Sequence, residues 1–177
     1  MAPRKGIVFI TGGARSGKSS FALKEASKVP GRKAFIATAE PLDEEMRRRI
    51  KMHKKARGPE WETFEEPREL ASLIKRLKGR YRALVIDCLT LWLSNIMRKQ
   101  TETLIKKDLE ELIGTVRKTG SVLYIVSNEV GMGIVPANAS ARRFRDLAGI
   151  MNRKVADIAD EVYMVVSGIP MKIKGGL

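Results

Sequence analysis

The sequence is poor in the residues that most often carry redox or metal chemistry. It has one cysteine, Cys88, and one histidine, His53, in 177 residues. A single cysteine cannot form an internal disulfide, and it fits a reducing compartment. No apolar run reaches the length of about 18 residues that a membrane-spanning helix needs. We therefore expect a cytoplasmic protein with no membrane span and no disulfide framework.

Acidic residues are also scarce beside basic ones. The chain has 34 Lys and Arg against 20 Asp and Glu, a formal net charge of +14. Such an excess can indicate a nucleic-acid partner. However, the cations are spread along the chain, aromatic residues make up only 6% of it, and no RNA-binding aromatic signature or zinc spacing occurs. We expect no nucleic-acid partner and assign part of the charge to binding a polyanionic small substrate.

The residues that are present predict one α/β domain over residues 1–177. Short apolar runs alternate with helix-compatible segments, a pattern typical of a mostly parallel sheet with helices on both faces. The strands are predicted at 6–10, 33–38, 83–87, 122–127 and 161–166. The helices are predicted at 18–28, 43–57, 67–78 (with Pro67 in its first turn), 89–98, 102–119 and 139–159.

A glycine-rich segment follows the first predicted strand. Residues 12–19 of "TGGARSGKSS" match G-x-x-x-x-G-K-[ST], and a helix-compatible run comes next. Such a loop points successive backbone N–H groups inward and adds the positive end of the helix dipole, so it binds phosphates. It predicts a three-layer P-loop nucleotide-binding fold. The predicted nucleotide contacts are Gly12, Gly13, Ala14, Arg15, Ser16, Gly17, Lys18 and Ser19.

Within this loop, Lys18 is expected to reach the β- and γ-phosphates of a nucleotide, and the Ser19 hydroxyl to ligate Mg²⁺. Asp87 ends the most apolar predicted strand, "ALVID", and is the candidate second Mg²⁺ ligand. An ordinary strand-end or capping aspartate is the alternative. The loops "TAEP", "SNEVGMGIVP" and "SGIP" also follow predicted strands, so they should lie at the same edge of the sheet.

His53 lies in the basic segment "RRRIKMHKKAR". In the predicted helix, Met46, Ile50 and His53 fall on one face, so His53 lies on or beside an apolar stripe. The surrounding cations would lower the pKa of the imidazole and attract a triphosphate. Two interpretations stay open on these residues alone: a half-buried histidine on a basic helix, or a nucleophile that attacks phosphorus.

Several segments together match a known family. "ITGGARSGKS", "IATAEPLDEEMRRRIKMHKKARGPEW", "SNEVGMGIVP" and "RRFRDLAGIMNRKVADIADEVYMVVSGIPMKIK" resemble the bifunctional adenosylcobinamide kinase/adenosylcobinamide-phosphate guanylyltransferase family of cobalamin biosynthesis. The resemblance implies two reactions. A nucleoside triphosphate, GTP or ATP, phosphorylates adenosylcobinamide. GTP then donates GMP through a guanylyl-histidine to adenosylcobinamide phosphate, which gives adenosylcobinamide-GDP.

The resemblance also implies roles for residues outside the glycine-rich loop. The guanylylated histidine of the family falls on His53, and Met52 stands where some members carry a second histidine. Asp87 is a glutamate in some relatives. Relatives form homotrimers, and the tail "SGIPMKIK" and the long last helix are candidate contact surfaces. The further nucleotide contacts carried over are Thr38, Ala39, Glu40, Lys54, Lys55, Ala56, Arg57, Glu65 and Asp87.

Two other functions remain compatible with the sequence. The first is a one-step small-molecule kinase in which His53 is structural. The second is a nucleic-acid-binding P-loop protein, favoured only by the net charge. For the kinase step, Glu129 is either a general base or a residue that shapes the corrinoid site.

Overall fold

The computed structural model of the protein describes residues 6–40 and 58–176. In these ranges seven strands form one sheet in the order β3-β2-β4-β5-β1-β6-β7. All neighbouring strands are parallel except β6 and β7, which pair antiparallel. The strands are β1 (Gly6–Gly12), β2 (Lys33–Ala37), β3 (Trp61–Glu65), β4 (Ala83–Asp87), β5 (Val122–Val126), β6 (Glu161–Val166) and β7 (Ile169–Lys174).

In the described ranges, helices connect β1 to β2, β3 to β4, β4 to β5 and β5 to β6. Those in the described ranges are α1 (Lys18–Ser27), α2 (Leu70–Leu77), α3 (Leu89–Met97), α4 (Glu102–Val116) and α5 (Ala139–Ile158). None of these helices has the length and apolar character that a membrane crossing requires. The predicted helix at 43–57 lies outside the described residues.

The interior strands are apolar on both faces because helices cover both faces of the sheet. On one face, Val8 and Ile10 of β1 pack with Ala22 and Ala26 of α1. On the other face, the alternate side chains of β1, β4 and β5 pack against α2, α3, α4 and α5, with Trp92 fully enclosed. The predicted α/β architecture with a mostly parallel sheet is confirmed.

The register aligns the carboxyl ends of the strands. Ala37 pairs with Asp87, and Asp87 pairs with Val126. Gly12 at the end of β1 pairs with Val165 of β6. The segments that follow these strands therefore lie at one edge of the sheet, where ligands of such folds bind.

The edge strands and some helix ends differ from the prediction. β3 and β7 were not predicted, because "WETFE" carries charges and "IPMKIK" contains a proline and two lysines. The placement of Pro67 in a first helical turn is wrong, because α2 begins at Leu70 with Glu69 as its N-cap. α4 ends at Val116, and Gly120 (φ 72°) lies in the turn before β5.

Candidate active site

The phosphate loop runs from the end of β1 to the first residue of α1. Gly12 has φ 143°, and a Cβ there would lie 2.3 Å from the carbonyl oxygen of Val165, so only glycine fits. Gly17 caps α1 in the left-handed region at φ 97°. The loop between them is exposed at its tip, Gly13 to Arg15. The first N–H groups of α1 have no carbonyl partner within the helix, and the residues that carry them, Lys18, Ser19 and Ser20, line a cavity at this end of the sheet.

The tip of the β6–β7 hairpin supports the loop from one side. Ser167 and Gly168 form the turn, with φ values of 50° and 86°, the positive values that tight hairpins require. The backbone N–H of Gly168 donates to the carbonyl oxygen of Ser16 at 2.9 Å. The "SGIP" segment is therefore a hairpin turn that braces the phosphate loop.

Lys18 is folded back over the loop. Its side chain is almost enclosed, with 6% of the residue exposed. Its Nζ donates to the carbonyl oxygen of Gly13 at 2.5 Å and to the Ser16 hydroxyl at 3.4 Å. Burial lowers the pKa of Lys18, while the negative charge of the nearby Asp87 carboxylate acts in the opposite direction. A bound phosphate would supply the anionic partner that this desolvated ammonium lacks in its two neutral acceptors.

Asp87 and Ser19 line the same cavity as Lys18. The cavity has a volume of about 340 Å³. The hydroxyl of Ser19 and the carboxylate of Asp87 are hard oxygen donors of the kind that Mg²⁺ prefers. In the described residues no group of three or more His, Cys, Asp or Glu could hold a metal. The donor set fits a Mg²⁺ ion that keeps water and phosphate oxygens as its other ligands. The remaining lining residues are Arg15, Ser16, Gly17, Ser20, Cys88, Val126 and Asn128.

A buried hydroxyl ties the end of β2 to the residue after Asp87. Thr38 is fully buried. Its hydroxyl donates to the carbonyl oxygen of Cys88 at 2.7 Å and accepts from the Cys88 N–H at 2.8 Å. The Thr38 N–H donates to the Asp87 carbonyl oxygen at 3.1 Å, and Asn95 donates from Nδ2 to the Thr38 carbonyl oxygen at 2.7 Å. The Thr38 side chain thus fixes the backbone that carries Asp87.

The network continues to the end of β5. The Cys88 sulfur lies 3.4 Å from the Thr90 hydroxyl, which accepts a hydrogen bond from the Asn128 N–H at 2.9 Å. Asn152 of α5 donates from Nδ2 to the Asn128 carbonyl oxygen at 3.1 Å. The segments after β2 and β4 and the helix α5 therefore act together to set the position of Asn128 at the cavity wall.

Glu40 lies in an arginine cluster. Its carboxylate accepts from Arg68 at 2.6 Å and lies 3.8 Å from Arg98. This double pairing makes Glu40 a poorer candidate than Asp87 for a metal ligand, since its charge is already neutralised. Ala39 lies beside it in the turn after β2, and Glu65 is the exposed last residue of β3.

Several predicted site residues lie outside the described residues. They are His53, Lys54, Lys55, Ala56 and Arg57. The structure brings together the phosphate loop, Asp87 and the turn at Thr38, all at the carboxyl edge of the sheet. The assigned roles of these residues in nucleotide binding and catalysis stay predictions.

Comparison with known proteins identifies the family. A family model described as cobinamide kinase / cobinamide phosphate guanyltransferase matches residues 8–173. The chain belongs to this family. It is 39% identical over 181 residues to the bifunctional adenosylcobalamin biosynthesis protein CobU of Salmonella typhimurium, covering 95% of this chain and 99% of that protein. It is 38% identical over 166 residues to CobP of Pseudomonas aeruginosa, a protein of the same description, covering 94% and 96%.

Solved structures confirm the fold prediction. The KaiC-like protein PH0186 of Pyrococcus horikoshii superposes with a TM-score of 0.53 at 17% identity, covering 90% of this chain and 70% of that one. The flagellar accessory protein FlaH of Methanocaldococcus jannaschii gives 0.56 at 11% identity, covering 98% and 80%. At these identities the likeness concerns the fold alone. Together with the family membership, it confirms the P-loop architecture.

For this cobinamide kinase / cobinamide phosphate guanyltransferase family member, sequence reasoning missed the second layer of the site. It did not single out Thr90, Asn95, Asn128 or Asn152, although the loop containing Asn128 was predicted to lie at the site edge. Threonine and asparagine are common residues, and the residues on either side of these four do not indicate that the four share a site. Only the topology, which brings the ends of β2, β4 and β5 together, shows that they form one network.

Proposed function

We propose that this chain catalyses both reactions in the description of its family, on adenosylcobinamide. In the first, the hydroxyl oxygen of the aminopropanol arm attacks the γ-phosphorus of GTP or ATP. The bond from that phosphorus to the β,γ-bridging oxygen breaks, the hydroxyl proton is released, and a nucleoside diphosphate leaves. The observation that carries this proposal is the buried Lys18 ammonium over a loop that only Gly12 and Gly17 allow to form.

Lys18 and the start of α1 would neutralise the charge that grows on the β,γ-bridging oxygen. Ser19 and Asp87 would hold a Mg²⁺ ion at this cavity. When bound, that ion would offset the charge of the β- and γ-phosphates and align them. Asp87 would be held for this purpose by the hydrogen bonds between Thr38 and Cys88.

The second proposed reaction uses His53. A nitrogen of its imidazole attacks the α-phosphorus of GTP, and pyrophosphate leaves with the bonding electrons of the P–O bond. A phosphate oxygen of adenosylcobinamide phosphate then attacks the same phosphorus, the P–N bond breaks, and adenosylcobinamide-GDP is formed. The support for this step is the family membership and the sequence "RRRIKMHKKAR", whose cations would neutralise charge on the departing pyrophosphate.

The rest of the nucleotide site is proposed on the same resemblance. The turn Thr38–Glu40, the segment Lys54–Arg57 and Glu65 would contact the nucleotide. Of these, Thr38 would act indirectly, by holding the backbone after Asp87 in place, because its hydroxyl, N–H and carbonyl oxygen are all hydrogen-bonded within the protein. We further propose that residues 1–177 act as one domain, that the protein is cytoplasmic, and that it is a homotrimer, which sedimentation velocity would test.

Incubation with α-labelled GTP and Mg²⁺ tests the function. We expect labelled GMP to become attached to the protein, and the label to leave in mild acid and survive alkali, as a phosphoramidate does. In His53→Asn, labelling and GMP transfer should disappear, because asparagine cannot attack phosphorus. Phosphorylation of adenosylcobinamide should remain measurable in the same variant.

The outcomes separate the alternatives. A one-step kinase would phosphorylate adenosylcobinamide but take up no label. Acid-labile labelling that persists in His53→Asn would overturn the assignment, since the chain has no other histidine.

A further inference from the structure

The loop between β5 and α5, residues 127–138, presents an apolar surface to solvent. Met132 is 76% exposed, Ile134 95% and Val135 58%. Single exposed apolar residues are ordinary on protein surfaces, but three within four positions form a patch of the kind that marks a binding site.

Hydrogen bonds hold this β5–α5 loop at both of its ends. At the start, the Glu129 N–H donates to the Gly12 carbonyl oxygen at 2.9 Å. At the end, Arg142 donates from Nη1 to the carbonyl oxygens of Pro136 at 3.0 Å and Ala137 at 2.6 Å. The carboxylate of Glu129 also accepts from the Gly131 N–H at 2.7 Å. The apolar side chains lie between these fixed points, so the fold presents them outward.

The patch begins where the transferred phosphate would be. Asn128 lines the cavity that contains Lys18 and Asp87, and Glu129 is bonded directly to the first residue of the phosphate loop. When the hydroxyl of a large acceptor molecule reaches the γ-phosphate, the remainder of that molecule must lie on the protein surface beside the cavity. The β5–α5 loop is such a surface.

We propose that Met132, Ile134 and Val135 bind the corrin ring of the acceptor, an inference that rests on the proposed function. A corrinoid is a broad ring with methyl groups and primary amides at its rim, so it requires apolar contacts and hydrogen-bond donors together. The β5–α5 loop supplies the apolar contacts. Arg142, whose Nη1 secures the end of the loop, carries further guanidinium N–H groups that would donate to amide carbonyls beside it. Three apolar side chains on a secured loop match one face of such a ring.

Equilibrium dialysis with adenosylcobinamide, followed by its visible absorbance, tests the assignment without requiring turnover. We expect the double substitution Met132→Ser/Ile134→Ser to weaken binding by about tenfold or more. Nucleotide binding, measured separately, should stay within about twofold of the wild type. The matched control is Leu104→Ser on α4, an apolar residue that is 47% exposed and lies outside the site and the candidate contact surfaces. It should bind adenosylcobinamide like the wild type.

The other outcomes distinguish a failure of this inference from a failure of the proposed function. Unchanged corrinoid binding in the double variant would place the acceptor elsewhere and leave the proposed function intact if the wild type still phosphorylates it. Corrinoid binding that depends on the loop without any phosphorylation would instead refute the proposed function and keep this inference. Dissociation of an oligomer in the double variant, measured by sedimentation velocity, would assign the patch to contact between copies of the chain.

Discussion

At the scale of single residues, Lys18 combines a stability cost with the phosphate-binding role that we propose for it. Burial lowers its pKa, so the unfolded chain holds this proton more tightly than the folded one. Stability therefore increases as the pH rises from the folded pKa toward the unfolded value near 10.5. Below that window, the buried charge destabilises the protein without nucleotide. The residue is retained where it costs stability, which is typical of a functional group.

Replacing Lys18 by methionine should separate the two effects. We expect Lys18→Met to keep or raise the melting temperature of the protein without nucleotide, since the stem still packs and the buried charge is gone. The rise in melting temperature on adding GTP or ATP should be lost, and phosphorylation of adenosylcobinamide should fall by more than about tenfold, ~1.4 kcal/mol of barrier. Thermal unfolding with and without nucleotide and an initial-rate assay measure both. Wild-type turnover in the variant would contradict the role assigned to Lys18.

Thr38 offers a second test, directed at the positioning of Asp87. In Thr38→Val the shape is kept but the hydroxyl is lost, so the buried Cys88 N–H and carbonyl lose their partner. The free energy of unfolding should fall by about 1–3 kcal/mol. The Mg²⁺ concentration for half-maximal kinase activity should rise, because the Asp87 carboxylate, which we propose binds the metal, is no longer held in place.

Thr38→Ser is the control for this prediction, because it restores the hydroxyl. It should recover the Mg²⁺ dependence of the wild type. A Thr38→Val protein that is less stable but has an unchanged Mg²⁺ requirement would show that the hydroxyl serves the fold alone.

At the scale of elements, the packing of β1 against β6 sets the shape of the phosphate loop. Gly12→Ala should be strongly destabilising, because its Cβ would meet a backbone oxygen of Val165 that cannot move independently of β6. We expect a loss of about 2 kcal/mol or more in the free energy of unfolding, with weaker nucleotide binding. Gly13→Ala is the matched control for stability, since a Cβ there has no heavy atom within 4 Å. Equal denaturation midpoints for the two variants would contradict this account.

The elements that could be predicted from the sequence are those that consecutive residues specify, by an apolar run, a helical period or a cap residue. The interior strands are apolar runs, and α5 combines a clear periodic pattern with an Asn138 cap that accepts from the Ala141 N–H. β3 and β7 lack such a pattern because an edge strand is paired on one side only, so it tolerates charges and proline. The phosphate loop was predictable because its residues are consecutive. The network of Thr38, Cys88 and Asn128 was not, because its members are distant in sequence.

At the scale of the whole molecule, the net charge of +14 should act mainly on the encounter with nucleotides. Cations that attract a polyanion from a distance lose their effect when salt shortens the Debye length from about 14 Å at 50 mM to about 6 Å at 300 mM. We expect the KM for nucleotide to rise severalfold over this range and kcat to change little. Initial rates at both ionic strengths measure this. A salt-independent KM, or a DNA or RNA mobility shift at physiological ionic strength, would contradict it.

The position of β1 has a consequence for how the protein forms during synthesis. β1 carries the phosphate loop near the start of the chain, yet its neighbours in the sheet are β5 and β6, and the loop is completed by hydrogen bonds from Glu129 and Gly168. A ribosome therefore produces the nucleotide-binding motif first and the parts that shape it last. Nucleotide cannot assist the early nascent chain, because ligand stabilises only a state that already binds it. Until β5 emerges, the apolar β1 lacks both of its partner strands, so in this interval we expect the chain to depend most on chaperones.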